Sequence, residues 1–155
     1  MKSLRELLAA AGVVFTVMLV ATRYAALPAV IPIHFNAHGA VDGWGGKITL
    51  LLLAGASCLL YGVLTLAASF PEHMISLPMK VARRRDALPL AVEMVCWLKV
   101  EIAWMFYWIT WTIIAVATGR RPGLGPWFMP LLLACVFGTT ALYYWRILQS
   151  PEQSA

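Results

Sequence analysis

The sequence predicts an all-α fold: a polytopic membrane protein with four transmembrane helices and a structured extracytoplasmic loop between helices 1 and 2. Hydrophobic residues make up 61% of the 155 residues and charged residues 12%, whereas soluble domains have roughly 45–50% and about 25%. The mean hydropathy is +0.78. These values exclude a conventional soluble enzyme, a disordered tail and a secreted disulfide scaffold. We treat residues 1–155 as a single membrane domain.

Four long uncharged stretches predict the spanning helices, since a span needs about 20 mostly apolar residues. We expect the helices near residues 5–25, 48–70, 95–118 and 125–146. The first could instead be a secretory signal peptide, because Lys2 and Arg5 precede its apolar run. Arg23 and Tyr24 follow that run, however, and they make a poor cleavage site. We therefore expect the first helix to be retained.

Basic residues predict the orientation, because membrane proteins concentrate Lys and Arg in their cytoplasmic segments. If the N-terminus is cytoplasmic, seven basic residues lie inside: Lys2, Arg5, Lys80, Arg83, Arg84, Arg85 and Arg146. Four lie outside: Arg23, Lys47, Arg120 and Arg121. Both termini and the basic loop 71–89 are then cytoplasmic. The basic run in that loop sets topology beside anionic lipid, or it docks an acidic partner. This pattern indicates a lipid bilayer rather than nucleic acid.

The loop at residues 26–47 has the composition of a folded cap. Pro28 and Pro32 favour an extended chain, and its glycines permit turns. Asn36 and Asp42 can bind nearby backbone amides with their side chains. Its apolar side chains are expected to lie against the helix ends: Ile31, Ile33, Phe35 and Trp44.

The same loop carries a long motif with fixed spacing, LPxxIPxHFNxxGxxDxWGxK. The matching residues are Leu27, Pro28, Ile31, Pro32, His34, Phe35, Asn36, Gly39, Asp42, Trp44, Gly45 and Lys47. The motif resembles the signature of a bacterial membrane family called domain of unknown function 1648. That domain also forms the N-terminal part of SdpI-type proteins, which confer immunity to a secreted killing factor and signal its presence to a cytosolic repressor. The resemblance implies a four-helix protein of the bacterial cytoplasmic membrane and supplies no chemistry; the chain is shorter than the six-helix SdpI-type architecture.

The motif also supplies the candidate binding residues: His34, Phe35, Asn36, Asp42, Trp44 and Lys47. One interpretation is structural, with Asp42 pairing with Lys47 or capping the second helix, and His34 bonding within the loop beneath Trp44. The other is recognition of a ligand or peptide. His34, His38 and Asp42 would share a face if the loop were helical and could then bind zinc. The prolines and glycines argue against a helix, so we expect no metal and no cofactor.

Ionisable residues near the third span have two interpretations. Glu93, Lys99 and Glu101 lie at the cytoplasmic headgroup level if the span starts near Glu101, and we favour this interfacial interpretation. The alternative is a buried Lys99–Glu pair that lines a polar path, since charges inside a membrane are costly and usually functional. Four tryptophans with helical spacing also share one face, which predicts helix packing or lipid contact, or else binding of a flat apolar ligand or a partner subunit: Trp97, Trp104, Trp108 and Trp111.

Catalytic motifs are missing from the sequence: it contains no HExxH, GxSxG, P-loop or GxGxxG pattern. We therefore expect a non-enzymatic accessory, sensor or immunity-like membrane protein whose outer loop recognises a peptide or protein partner. One alternative is a small transporter or channel subunit that uses Lys99 and Glu101. Another is a structural subunit of a homo-oligomer or larger membrane complex, packed through the tryptophan face.

Overall fold

The computed structural model describes residues 2–75 and 81–149, with side chains for residues 3–75 and 87–149. A 3₁₀ turn (Tyr24–Ala26) follows the first helix, and the elements run in the order α1 (Lys2–Arg23), β1 (Val30–Phe35), β2 (Val41–Gly46), α2 (Ile48–Ser69), α3 (Pro71–Met74), α4 (Val81–Ala117) and α5 (Phe128–Leu148). In these ranges four segments are long and apolar enough to cross a membrane: Ser3–Ala26, Ile48–Ser69, Ala87–Ala117 and Phe128–Leu148. The predicted all-α fold with four spans is confirmed.

Helix α4 is the centre of the bundle, because it contacts α1, α2 and α5. Its approach to α1 is close at Gly12, where an added Cβ would lie 3.0 Å from the Cβ of Ala103. Small residues at such crossings let helix backbones pack tightly inside a membrane. Helix α5 packs mainly on α4, so it forms an outer layer.

The antiparallel strands β1 and β2 form a hairpin that covers one end of the bundle, called here the hairpin end. An apolar cluster fastens the hairpin to α1, α2 and α4: Val20, Leu27, Ile31, Leu50, Ala54, Ile113 and Ile114. The register runs from Val30 opposite Gly46 to Phe35 opposite Val41, with irregularities on both sides of His34. The predicted structured loop is therefore a β-hairpin.

The tip of the hairpin also contacts the link between α4 and α5. Ala40 forms an isolated β-bridge with Gly123, and the Leu124 backbone N–H donates to the Gly39 carbonyl at 2.8 Å. Gly39 has a φ of +75°, and a Cβ on it would collide with the Gly125 carbonyl. This tight contact brings both connections to the same end of the bundle.

The predicted start of the third helix is wrong. We expected it near residue 95, but α4 begins at Val81, so the second half of the expected basic loop 71–89 is helical. The reason is physical: an apolar run fixes the spanning part of a helix, while arginines are good helix formers and extend it into water. Lys80 lies outside the described residues, as do the side chains of Arg83, Arg84 and Arg85, so the docking hypothesis for this run stays a prediction.

Candidate functional site

The hairpin carries a polar pair on its surface. The Nδ1 atom of His34 lies 2.5 Å from Oδ1 of Asp42 on the neighbouring strand. Both side chains are open to solvent, with 70% and 41% of their area exposed. Gly43 lies opposite His34, and a Cβ on Gly43 would approach the His34 Cβ to 2.8 Å. Glycine at position 43 therefore leaves room for the Cβ of His34.

Asn36 closes the hairpin turn. Its Oδ1 accepts hydrogen bonds from the backbone N–H groups of His38 at 3.0 Å and Ala40 at 3.1 Å. Its own backbone N–H donates to the Ala40 carbonyl at 2.9 Å. The side chain thus replaces backbone partners that a tight turn lacks.

Lys47 connects the end of the hairpin to the end of α1. Its Nζ donates to the carbonyls of Tyr24 at 3.3 Å and Leu27 at 3.2 Å, and it lies 4.9 Å from the centroid of the Tyr24 ring. The proposed Asp42–Lys47 pair is wrong, because the lysine ammonium binds these two carbonyls and Asp42 binds His34. Asp42 does not cap α2 either: residue 47 holds the N-cap position and makes no side-chain cap hydrogen bond.

The aromatic residues of the motif divide between the inside and the surface. Phe35 packs against the apolar cluster at the hairpin end. Trp44 pairs with Pro32 in the strand register, while His34 pairs with Gly43. The Trp44 side chain is 57% exposed, so it stands on the surface near the polar pair.

The described residues do not bring metal ligands together. Within residues 2–75 and 81–149, no three His, Cys, Asp or Glu side chains converge. His34 bonds to Asp42, and the contact recorded for His38 comes from its backbone.

Comparison with known families identifies the segment that contains this hairpin. Residues 11–58 match the family described as domain of unknown function DUF1648. The match begins in α1, includes the whole hairpin and ends in α2, so the resemblance expected from the loop motif is confirmed. No curated protein and no solved structure matches the chain. The match therefore shows a resemblance of this segment to the family and assigns no activity.

A second polar cluster, which we call the Lys99 cluster, lies wholly outside the DUF1648 segment. The Lys99 ammonium donates to the two Glu6 oxygens at 2.6 and 2.5 Å and to Thr65 Oγ1 at 3.1 Å. Tyr61 also donates to Glu6, at 3.0 Å. Lys99 is only 1% exposed, as the alternative interpretation of a buried Lys99–Glu pair expects. The alternative named a Lys99–Glu pair, but sequence reasoning missed Glu6, which lies 93 residues away.

The other two acidic residues of the third span have different partners. Glu93 accepts a hydrogen bond from Arg5 and another from Tyr143, both at 3.3 Å. Glu101 accepts one from Thr139 at 2.5 Å, and its other oxygen is buried with no partner among the described residues. Each of these carboxylates thus binds across a helix pair, and no sequence spacing signals those contacts.

The Lys99 cluster belongs to the end of the bundle opposite the hairpin. Glu6 lies near the start of α1 and Thr65 near the end of α2. A cavity of about 610 Å³ beside them is bordered by Ser3, Ser69 and Cys96 as well as Glu6, Thr65 and Lys99. The apolar cluster that surrounds Leu50 lies between these groups and the DUF1648 hairpin. Apolar side chains therefore separate the Lys99 cluster from the hairpin end of the bundle.

The four tryptophans of α4 make two kinds of contact. Trp104 donates from Nε1 to the Leu8 carbonyl of α1 at 3.1 Å, and the Arg5 guanidinium lies 5.3 Å from the Trp97 ring. Trp108 and Trp111 lie 5.1 Å apart and both face the Arg121 guanidinium. The predicted single face therefore contacts an arginine at each end, and Trp104 joins it to α1.

Proposed function

We propose that the protein is a non-enzymatic recognition protein of the membrane, an accessory, sensor or immunity-like protein that binds a peptide or protein partner through the exposed hairpin. The supporting observation is the exposed His34–Asp42 pair beside the exposed Trp44. An exposed ion pair contributes only about 0–1 kcal/mol to folding. These side chains are thus free to serve a contact made by the surface.

The surface around them has the composition of a small interface. Val30, Ile33 and Trp44 are 56%, 43% and 57% exposed. Aromatic residues are enriched in protein interfaces and often dominate their energy. Asn36 and Lys47 hold the backbone of the hairpin in place, so binding would cost little ordering entropy.

The edge of β2 offers a second means of recognition. Strand β1 packs on α4, which leaves β2 as the outer strand. In the described part of the chain, the backbone of β2 makes hydrogen bonds only to β1. An open edge of this kind can pair with an extended peptide as a third strand. We therefore favour an extended peptide segment as the recognised element.

The experiment replaces Ile33 with a photo-crosslinking amino acid and irradiates the protein in its own membranes. We expect an adduct that disappears when His34, Asp42 and Trp44 are all changed to Ala. Trp127→Ala is the matched control, because Trp127 is 73% exposed and lies in the link at the same end. An adduct of equal yield in the triple variant, with the hairpin still protected from proteolysis, would contradict the proposal.

The proposed cellular setting is the bacterial cytoplasmic membrane with both termini in the cytoplasm. The excess of basic residues in the segments on the side of the N-terminus supports this orientation. In such a setting the hairpin faces outward, and the basic run at the start of α4 would transmit the bound state inward, as the SdpI-type resemblance implies.

Transport is the second candidate function. It is favoured by the buried Lys99–Glu6 pair and the cavity beside it. The apolar cluster at the hairpin end argues against a path through a single chain, so transport would require an oligomer. Proteoliposome flux that falls with Lys99→Ala would support transport, and flux equal to that of empty vesicles would exclude it.

A further inference from the structure

We infer that the protein binds an anionic membrane lipid, with the lipid phosphate held by three arginines and one acyl chain in the groove between α4 and α5. This inference concerns the bundle and does not depend on recognition by the hairpin.

Three arginines border one cavity at the hairpin end. The cavity has a volume of about 470 Å³, and Arg23, Arg120 and Arg121 all line it. No acidic residue is among its described lining residues, and none of the three arginines forms an ion pair within the described part of the chain. Guanidinium groups bind phosphate oxygens with paired, charge-assisted hydrogen bonds. The cavity is therefore complementary to a phosphate group.

The position of this cavity along the helices matches the level of lipid headgroups. Arg23 is the last residue of α1, within the span Ser3–Ala26. Arg120 and Arg121 follow Ala117, the last residue of the α4 span. Basic side chains at the ends of spans lie in the headgroup region. The anion that is abundant at this level is the phosphate of a membrane lipid.

A second cavity continues from the arginines along the bundle. This groove between α4 and α5 has a volume of about 600 Å³, and Arg121 borders both cavities. The Arg121 guanidinium lies 5.6 and 5.1 Å from the rings of Trp108 and Trp111, which fixes it at the junction. The groove wall is mostly apolar and includes Met105, Trp108, Leu131, Leu132 and Cys135.

The charged and apolar side chains of the two cavities determine where the phosphate and the acyl chain of the lipid lie. Glu101 lies in the groove, two helical turns from Trp108 on the side away from the arginines. Its carboxylate disfavours a second anion at that end, so the phosphate belongs at the arginines. A free phosphate would use only the arginines, whereas a lipid uses both cavities. The groove lies between two spanning helices and so accepts a chain directly from the bilayer.

The experiment uses the whole protein in phosphatidylcholine nanodiscs that contain a small fraction of phosphatidic acid with a photoreactive group on its acyl chain. We expect crosslinks concentrated on the groove residues of α4 and α5. Changing Arg23, Arg120 and Arg121 to Gln should lower this labelling by about fivefold for each arginine removed. Arg146→Gln is the control, because Arg146 lies at the other end of α5, and its labelling should equal that of the wild type.

Two further variants separate the contributions of charge and groove. Arg121→Lys keeps the charge but loses the paired guanidinium donors, so it should retain more labelling than Arg121→Gln and less than the wild type; it also protects the test if Arg121→Gln fails to fold. Leu132→Trp fills the groove and should reduce labelling while all arginines remain. Equal groove labelling by phosphatidylcholine with the same photoreactive chain would overturn the inference. So would full competition by inorganic phosphate, which would show a free-anion site, or labelling that ignores the arginine changes.

Discussion

Lys99 shows how a single charged residue is accommodated inside this bundle. Its ammonium is 1% exposed and is bound by Glu6 and Thr65. A buried charge without its partner is strongly destabilising, by about 3–5 kcal/mol. We expect Lys99→Met to lower the free energy of unfolding by about 3 kcal/mol, the lower end of that range, since Glu6 is 40% exposed and water reaches it. Denaturant unfolding in detergent micelles measures this change.

The control for that prediction is the double variant Glu6→Leu/Lys99→Met. It removes both charges together, so we expect it to be more stable than Lys99→Met alone. Losses that simply add in the double variant would show that the two side chains do not stabilise each other.

Within the hairpin, we expect Asn36 to contribute to stability and His34 to contribute little. Asn36→Ala removes the acceptor of two backbone N–H groups, and we expect a loss of about 1 kcal/mol. His34→Ala breaks only an exposed pair and should change stability by less than about 1 kcal/mol. Amide hydrogen exchange of residues 36–40 should therefore accelerate in Asn36→Ala and stay nearly unchanged in His34→Ala. Equal acceleration in both variants would contradict this division.

At the scale of elements, the docking of the hairpin on the α4–α5 link depends on Gly39. Its φ of +75° and its contact with the Gly125 carbonyl leave no room for a side chain. We expect Gly39→Ala to separate the hairpin tip from the link, by combining backbone strain of about 1–2 kcal/mol with a collision. Limited proteolysis should then cut the tip faster. Gly46→Ala is the control, because a Cβ at that position would lie 3.8 Å from the nearest atom, in Ile48, and its φ is ordinary. Equally fast cleavage in this variant would contradict the role of Gly39.

The sequence predicts the spanning helices well and the other elements less well, for physical reasons. Apolar length decides whether a helix crosses a membrane, so all four spans are recognisable. The start of α4 was missed because hydropathy does not register a charged helix that continues into water. The loop was expected to be extended with turns, but Pro32 and the glycines of β2 obscure the usual strand pattern. Its two strands depend on pairing with each other and on packing against Leu50 and Ile113.

For the candidate sites, the sequence could identify neighbouring residues but not their distant partners. The motif identified His34, Asn36, Asp42 and Lys47, because they are close together in the chain. It could not assign their partners, since Lys47 reaches back 20 and 23 residues to Leu27 and Tyr24. The Lys99 cluster and the arginine cavity join helices that are distant in sequence. Such contacts follow from helix packing, and no spacing in one sequence encodes them.

At the scale of the whole molecule, the four spans and the hairpin contacts agree on one topology. The hairpin follows α1, and the link with which it forms a β-bridge follows α4. If α1, α2, α4 and α5 cross the membrane in succession, both connections emerge on the same side. The contact between Gly39 and Leu124 requires this arrangement. Residues 71–75, which follow α2, must then lie on the opposite side.

Which of these two sides faces the cytoplasm can be measured with two histidine positions. His38 lies at the hairpin tip and His73 in α3, and both are exposed. In a variant without Cys58, Cys96 and Cys135, we expect His38→Cys to react with a membrane-impermeant maleimide in intact cells, because fewer basic residues lie on the hairpin side. His73→Cys should react only after the membrane is opened. The reverse pattern would place the hairpin in the cytoplasm and exclude an external partner, whereas labelling of both positions in intact cells would contradict the topology itself.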